Sequence, residues 1–85
     1  MRILYSKTFM KQFKKLPKGF QEEVNERVKI FKEDENNPTF KIHKLHGALN
    51  KFYSLSINYS HRIIFEKTKE FYIFTEIGNH DIYNN

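Results

Sequence analysis

Tyr53-Ser54-Leu55-Ser56-Ile57-Asn58-Tyr59 alternates large apolar or aromatic residues with small polar ones along its whole length. A period of two puts Tyr53, Leu55, Ile57 and Tyr59 on one face, the pattern of a half-buried strand. After a turn near Tyr59-Ser60 comes Arg62-Ile63-Ile64-Phe65-Glu66, and after Thr68-Lys69 comes Phe71-Tyr72-Ile73-Phe74-Thr75-Glu76-Ile77. Connections this short force antiparallel neighbours, because a parallel pair needs a crossover of about a dozen residues or more. The second half of the chain therefore reads as a three-stranded antiparallel meander.

Upstream the period changes. Phe9, Phe13 and Leu16 recur at helical spacing, with Ser6 placed as N-cap and Pro17 as the stop. Phe20, Val24, Val28 and Phe31 repeat the same spacing, with Glu23 and Arg27 set for a favourable i, i+4 pair. A break of only a few residues between two amphipathic helices predicts an antiparallel helical hairpin. Arg2-Ile3-Leu4-Tyr5 reads as a short N-terminal strand, and Asn36-Asn37-Pro38 closes the helical half. The expected class is α+β, with the helices on one face of the sheet and the other face left to solvent or a ligand.

The chain has 85 residues and 10.4 kDa, which predicts one domain over residues 1–85. Nine Phe and five Tyr exclude a disordered tail and must supply most of the core. Cysteine is absent, so neither disulfides nor thiolate sites are available. No stretch approaches the ~18 apolar residues of a membrane span, nor does the N-terminus read as a signal peptide, so the expectation is a soluble cytoplasmic protein without a membrane partner.

The net charge of +5 is unevenly spread. Residues 1–20 hold Arg2, Lys7, Lys11, Lys14, Lys15 and Lys18 without an acid; residues 41–62 hold Lys41, Lys44, Lys51 and Arg62, again without an acid, together with His43, His46 and His61. An acidic block separates them. Two basic blocks suit a polyanion or an acidic protein partner, while Lys-rich helix faces also serve solubility.

Arg62 is the only arginine in the meander, and its planar fork matches phosphate oxygens. The competing reading pairs it with Glu66 or Glu76. Two loop-like segments flank the strand, His43-Lys44-Leu45-His46-Gly47 before the meander and Gly78-Asn79-His80-Asp81-Ile82-Tyr83 after it. His80 at a strand end can move a proton near neutral pH, and Tyr83 offers a hydroxyl and a ring that can stack on a base. His43, His46, His80 and Asp81 match no standard zinc spacing, so neither metal nor cofactor is expected.

Several segments carry a resemblance: Phe9-x3-Phe13-x2-Leu16-Pro17, His43-Lys44-Leu45-x-Gly47, Phe52-Tyr53-Ser54-x-Ser56-Ile57-Asn58, His61-Arg62-Ile63-Ile64-Phe65 and Ile77-Gly78-x-His80-Asp81. In this order and spacing they resemble toxins of the RelE/ParE superfamily from bacterial type II toxin-antitoxin systems. The resemblance implies two helices on a four-stranded, mainly antiparallel sheet. It also implies metal-independent, ribosome-dependent cleavage of mRNA by 2'-OH attack, leaving a 2',3'-cyclic phosphate. By position, Arg62 matches the phosphate-binding arginine, His80 the catalytic histidine or arginine after the last strand, His43 a base or orienting group, and Tyr83 the base-contacting aromatic. Lys44, His46 and Lys51 become expected RNA contacts.

The implied partners are a cognate antitoxin, mRNA on the ribosome with its 16S rRNA, and operator DNA through the antitoxin. Two departures stand out: Tyr53 and Leu55 are read as replacing lysines that some relatives carry on the first meander strand, and Tyr83 lies three residues after His80 where relatives often have four. ParE members share the scaffold but poison DNA gyrase, and a degenerate relative would only bind antitoxin, so the scaffold leaves those activities open.

Overall fold

The computed structural model describes residues 2–47 and 50–79. In chain order these form β1 (Arg2–Tyr5), α1 (Lys7–Lys14), α2 (Lys18–Glu33), a 3-10 turn (Pro38–Phe40), β2 (His43–Lys44), β3 (Phe52–Ser56), β4 (His61–Lys67) and β5 (Phe71–Asn79). One mixed sheet runs β1-β5-β4-β3-β2, with β1 parallel to β5 and the other pairings antiparallel. The expected α+β class and its helix pair are present. The sheet gains a strand over the expected four because His43 and Lys44, read as loop, pair with Ser54 and Tyr53. Two residues are too few to show alternation, so no sequence period could reveal them.

Ser6 caps α1, its hydroxyl accepting from Phe9 N at 2.9 Å and donating to Thr75 O at 2.7 Å. Beyond Phe74, β5 has no further β1 partner, and α1 covers that stretch instead. Gln12 Oε1 accepts from Ile77 N at 2.8 Å, standing in for a missing strand carbonyl. Thr75 is the extra residue of a bulge opposite Ile64 and Phe65, and its hydroxyl donates to Ile64 O at 3.0 Å. The bulge lets Phe74 and Ile77, three residues apart, face the same core.

Phe9 of α1 and Val24, Val28 and Phe31 of α2 pack against Leu55, Ile57, Ile63, Phe65, Tyr72, Phe74 and Ile77 of the sheet. Phe31 is the hub, with its ring 5.1 Å from Tyr72, 5.6 Å from Phe40 and 6.0 Å from Phe65. Burying an aromatic side chain of this kind stabilises by roughly 1.5–3 kcal/mol, so the aromatic core carries much of this small domain's stability.

The strand expected to run to Tyr59 stops at Ser56. Asn58 turns the chain: its Oδ1 accepts from Ser60 N, Ser60 Oγ and His61 N at 2.8–2.9 Å, an Asx arrangement that holds Tyr59 out at 90% exposure. Arg27 lies over the Phe40 ring at 4.7 Å and reaches Thr39, not along α2 to the expected partner Glu23.

Candidate functional site

Register decides which side chains share the sheet face turned away from the helices. Ser56 pairs with Arg62 and Arg62 with Gly78, forming one row across β3, β4 and β5. The next row is His43, Ser54, Ile64 and Glu76. At ~4.8 Å between strands and ~3.4 Å per residue, the Cα atoms of His43 and Arg62 lie about 12 Å apart. Between them the floor is made of Ser54 and Ser56. Both serines are buried, and Ser54 Oγ has no hydrogen-bond partner among the described residues. Small residues thus flank Arg62 in the register, Ser56 on β3 and Gly78 on β5.

This corrects one expectation. Tyr53 and Leu55 belong to the helix side, with Tyr53 stacked on Phe65 at 5.5 Å and Leu55 fully buried. The residues that share Arg62's face are therefore Ser54 and Ser56. The face is not wholly open either: Ile64 is buried on it, and Leu45, which continues the β2 register by donating N–H to Phe52 O at 2.9 Å, is buried as well.

Arg62 is half-buried, and its Nη1 donates to the backbone oxygens of Asn58 at 3.3 Å and His61 at 3.5 Å. The β3–β4 turn thus positions the guanidinium. Glu76 accepts from Gln12 Nε2 at 3.4 Å, and Glu66 stands opposite Phe52, four residues along β4 from Arg62. The expected alternative, an Arg62–Glu76 pair, is replaced by the contact to α1.

His43 is exposed, with Nδ1 3.0 Å from Lys41 O. A carbonyl only accepts, so Nδ1 carries the proton in that contact and the neutral ring keeps Nε2 as a free base. His61 is held on the helix side, its ring 4.5 Å from Phe20 and its Nδ1 2.9 Å from Ser60 Oγ.

Lys44 pairs with Tyr53 and so belongs to the helix-side register, although it is exposed at the sheet edge. His46 is exposed just beyond β2, and Lys51 lies with Nζ 5.3 Å from the Phe52 ring. His80 and Tyr83 lie outside the described residues. The described chain ends at Asn79, paired with His61, one residue from the Gly78–Arg62 pair. No group of three His, Asp or Glu side chains among the described residues is placed to hold a metal ion.

Sequence reading missed what adjoins Arg62. Arg27, Lys41, Asn58 and Tyr59 line a pocket of about 240 Å³ together with Arg62. Helical spacing pairs Arg27 with Glu23 and alternation puts Tyr59 on a strand face, so only Asn58, in a turn-forming Asn-x-Ser segment, carries a usable signal. A second, apolar groove of about 430 Å³ lies between the helices and is lined by Tyr5, Phe9, Met10, Phe13, Val24 and Val28.

A helix pair backed on a mixed, mostly antiparallel five-stranded sheet is the RelE-like α+β fold. The chain belongs to the ParE-like toxin domain family, whose model matches residues 21–85, and so to the RelE/ParE superfamily of toxins from type II toxin-antitoxin systems. The fold is similar to that of YafQ from E. coli strain BL21(DE3), at TM-score 0.78 and 18% identity over 94% of each chain. It is similar to the E. coli DinJ–YafQ toxin-antitoxin complex, at TM-score 0.78 and 17% identity over 98% of this chain and 96% of that one. The toxin-antitoxin complex RelBE2 from Mycobacterium tuberculosis matches at TM-score 0.77 and 13% identity, over 93% and 96% of the two chains. No curated protein matches the chain by sequence. Among the described residues, no helix is long and apolar enough to cross a membrane.

Proposed function

We propose that this toxin is an endoribonuclease acting on mRNA at the ribosome. The observation that carries the proposal is the shared face of His43 and Arg62, with a free ring nitrogen on one and a turn-anchored guanidinium on the other, across a floor of small residues. In the reaction, His43 Nε2 takes the proton of a ribose 2'-OH as that oxygen attacks the adjacent phosphorus. Arg62 holds the non-bridging phosphate oxygens as charge builds. The bond from phosphorus to O5' breaks, and His80 is assigned to give a proton to the departing oxygen. The products are a 2',3'-cyclic phosphate and a free 5'-hydroxyl. Tyr83 is assigned to the neighbouring base, and Lys44, His46 and Lys51 to the RNA or 16S rRNA backbone.

The partner is a cognate antitoxin, as in the solved DinJ–YafQ and RelBE2 complexes. The apolar groove between α1 and α2, with Met10 and Tyr5 exposed at its rim and Lys14 lining it, suits an amphipathic, acidic segment. Operator DNA is reached only through that antitoxin, and the toxin acts in the cytoplasm.

The match to a ParE-like model favours a second reading, a gyrase poison with no chemistry of its own. Inducible expression with primer-extension mapping of cellular mRNA separates the two. A nuclease gives discrete mRNA ends and early arrest of protein synthesis, both lost in Arg62→Ala. A gyrase poison gives DNA breaks and filamentation with intact mRNA.

A further inference from the structure

Beside the proposed reaction face, the sheet's end carries a cationic pocket that the chemistry above uses only through Arg62. Arg27 of α2, Lys41 after the 3-10 turn and Arg62 of β4 converge on it, with Ser56, Asn58 and Tyr59 completing one wall. Among the described residues its lining includes no acidic one. Three cationic residues lining one small space give it the charge that suits an anion. The volume, about 240 Å³, corresponds to some eight waters at ~30 Å³ each, room for a phosphodiester group and part of its hydration.

Two local features are unfavourable for stability alone. Lys41 sits at φ 48°, the one non-glycine in the left-handed region among the described residues. That backbone costs about 1–2 kcal/mol for an ordinary residue and is the usual place of Gly or Asn. Arg27 is stacked over Phe40, yet its buried Nε has no hydrogen-bond partner among the described residues, and its one donated bond, to Thr39 Oγ1, is a long 3.4 Å. The guanidinium is thus held rigidly but under-bonded. Asn58 spends its Oδ1 on the turn, which leaves the amide NH2 as a neutral donor. At the rim Tyr59 is 90% exposed.

We propose that Arg27, Lys41 and Arg62 form a binding pocket for an RNA backbone phosphate next to the reaction site, with Tyr59 as the stacking platform for the adjoining base. Cations tracking a backbone beside an exposed aromatic are the combination by which single-stranded nucleic acid is held. The proposal rests on the nuclease reading for its substrate, and it enlarges the contact from one phosphate at Arg62 to at least two consecutive ones.

The test measures binding apart from cleavage, using the purified chain and a fluorescent 12-nucleotide RNA methylated at every 2'-oxygen, so that the attacking hydroxyl is blocked. Anisotropy titrations are run over a series of KCl concentrations. Lys41→Gly keeps the left-handed backbone and removes the charge; Arg27→Gln tests the other side, and its melting curve reports the fold. Each is expected to weaken binding by roughly threefold to tenfold and to lower the slope of log affinity against log salt by about 0.7. Tyr59→Ala is expected to weaken binding by at least fivefold with the slope unchanged, as loss of stacking requires. Lys69→Ala, in the distant β4–β5 turn, keeps wild-type binding.

Wild-type affinity and slope in both folded charge variants would overturn the pocket, as would a wild-type chain that does not bind the RNA at low salt. The nuclease reading fails separately: RNA bound with the predicted slopes while unmethylated RNA on ribosomes stays uncut would leave the pocket standing and remove the chemistry.

Discussion

Replacing Arg62 with alanine separates chemistry from stability, because the two costs differ in size. Among the contacts of the guanidinium are two long backbone bonds, at 3.3 and 3.5 Å, to the turn it braces. Bonds at that length are worth about 1 kcal/mol together. A domain of 85 residues at ~0.05–0.15 kcal/mol per residue has roughly 4–13 kcal/mol of stability. Even at the lower end, losing about 1 kcal/mol leaves the unfolded fraction below about 1% and lowers the melting temperature by about 4–8 °C. In the proposed mechanism the same substitution also removes the group that stabilises charge on the reacting phosphate, a loss of about 3 kcal/mol, or roughly a hundredfold in rate. A variant more than about 99% folded cannot lose a hundredfold by unfolding, so a drop of that size reports the site. The assay is single-turnover cleavage of mRNA on programmed ribosomes, with thermal melting of the same samples. Arg62→Lys, which keeps the charge and loses the fork, is expected to fall between wild type and Arg62→Ala. Cleavage by Arg62→Ala within about threefold of wild type would refute the role given to this residue.

Three further outcomes are expected. Gln12→Ala leaves Ile77 N–H without its acceptor on the stretch of β5 beyond β1 and should cost about 1–2 kcal/mol in urea denaturation, while cleavage at saturating ribosomes is unchanged. Ser6→Ala removes the α1 cap and the bond to Thr75 O together and should cost about 1–2 kcal/mol, read as a fall in melting temperature. Tyr72 is held well above the ordinary phenol value of 10.0, first by burial and then by the hydrogen bond to, and charge of, Glu35. The folded state therefore keeps a proton that the unfolded chain gives up above pH 10, so this stability is fully present below pH 10 and is lost as pH rises beyond it. Tyr72→Phe should flatten that alkaline loss in melting curves taken on either side of pH 10.

The helical and meander halves were legible because their patterns are long enough to carry a period: Phe20, Val24, Val28 and Phe31 mark one helix face, and Tyr53, Leu55 and Ile57 one strand face. What stayed hidden lacks a period. His43 and Lys44 form a strand only because Ser54 and Tyr53 stand opposite, a contact made by tertiary pairing. Thr75 becomes a bulge that shifts the face of β5 by one residue, and Asn58 ends β3 before Tyr59 can continue it.

Within the site, Arg62 was legible as an isolated arginine in an apolar strand. Its neighbours Arg27 and Lys41 were not, since they come from α2 and from a left-handed residue after the 3-10 turn, 35 and 21 positions away in sequence. The exchange of Tyr53 and Leu55 for Ser54 and Ser56 on the reaction face follows from alternation and register: residues read as facing the core cannot also face the ligand.

The central claim is that this chain cuts mRNA through the ribose 2'-oxygen. The most direct measurement places a single 2'-deoxynucleotide at the cleaved position of an mRNA on programmed ribosomes and analyses the fragment ends. The account predicts 2',3'-cyclic phosphate ends on the all-ribose message and no cut at the deoxy position. Cleavage that proceeds unchanged across the deoxynucleotide, or intact message alongside trapped gyrase–DNA breaks, would contradict it.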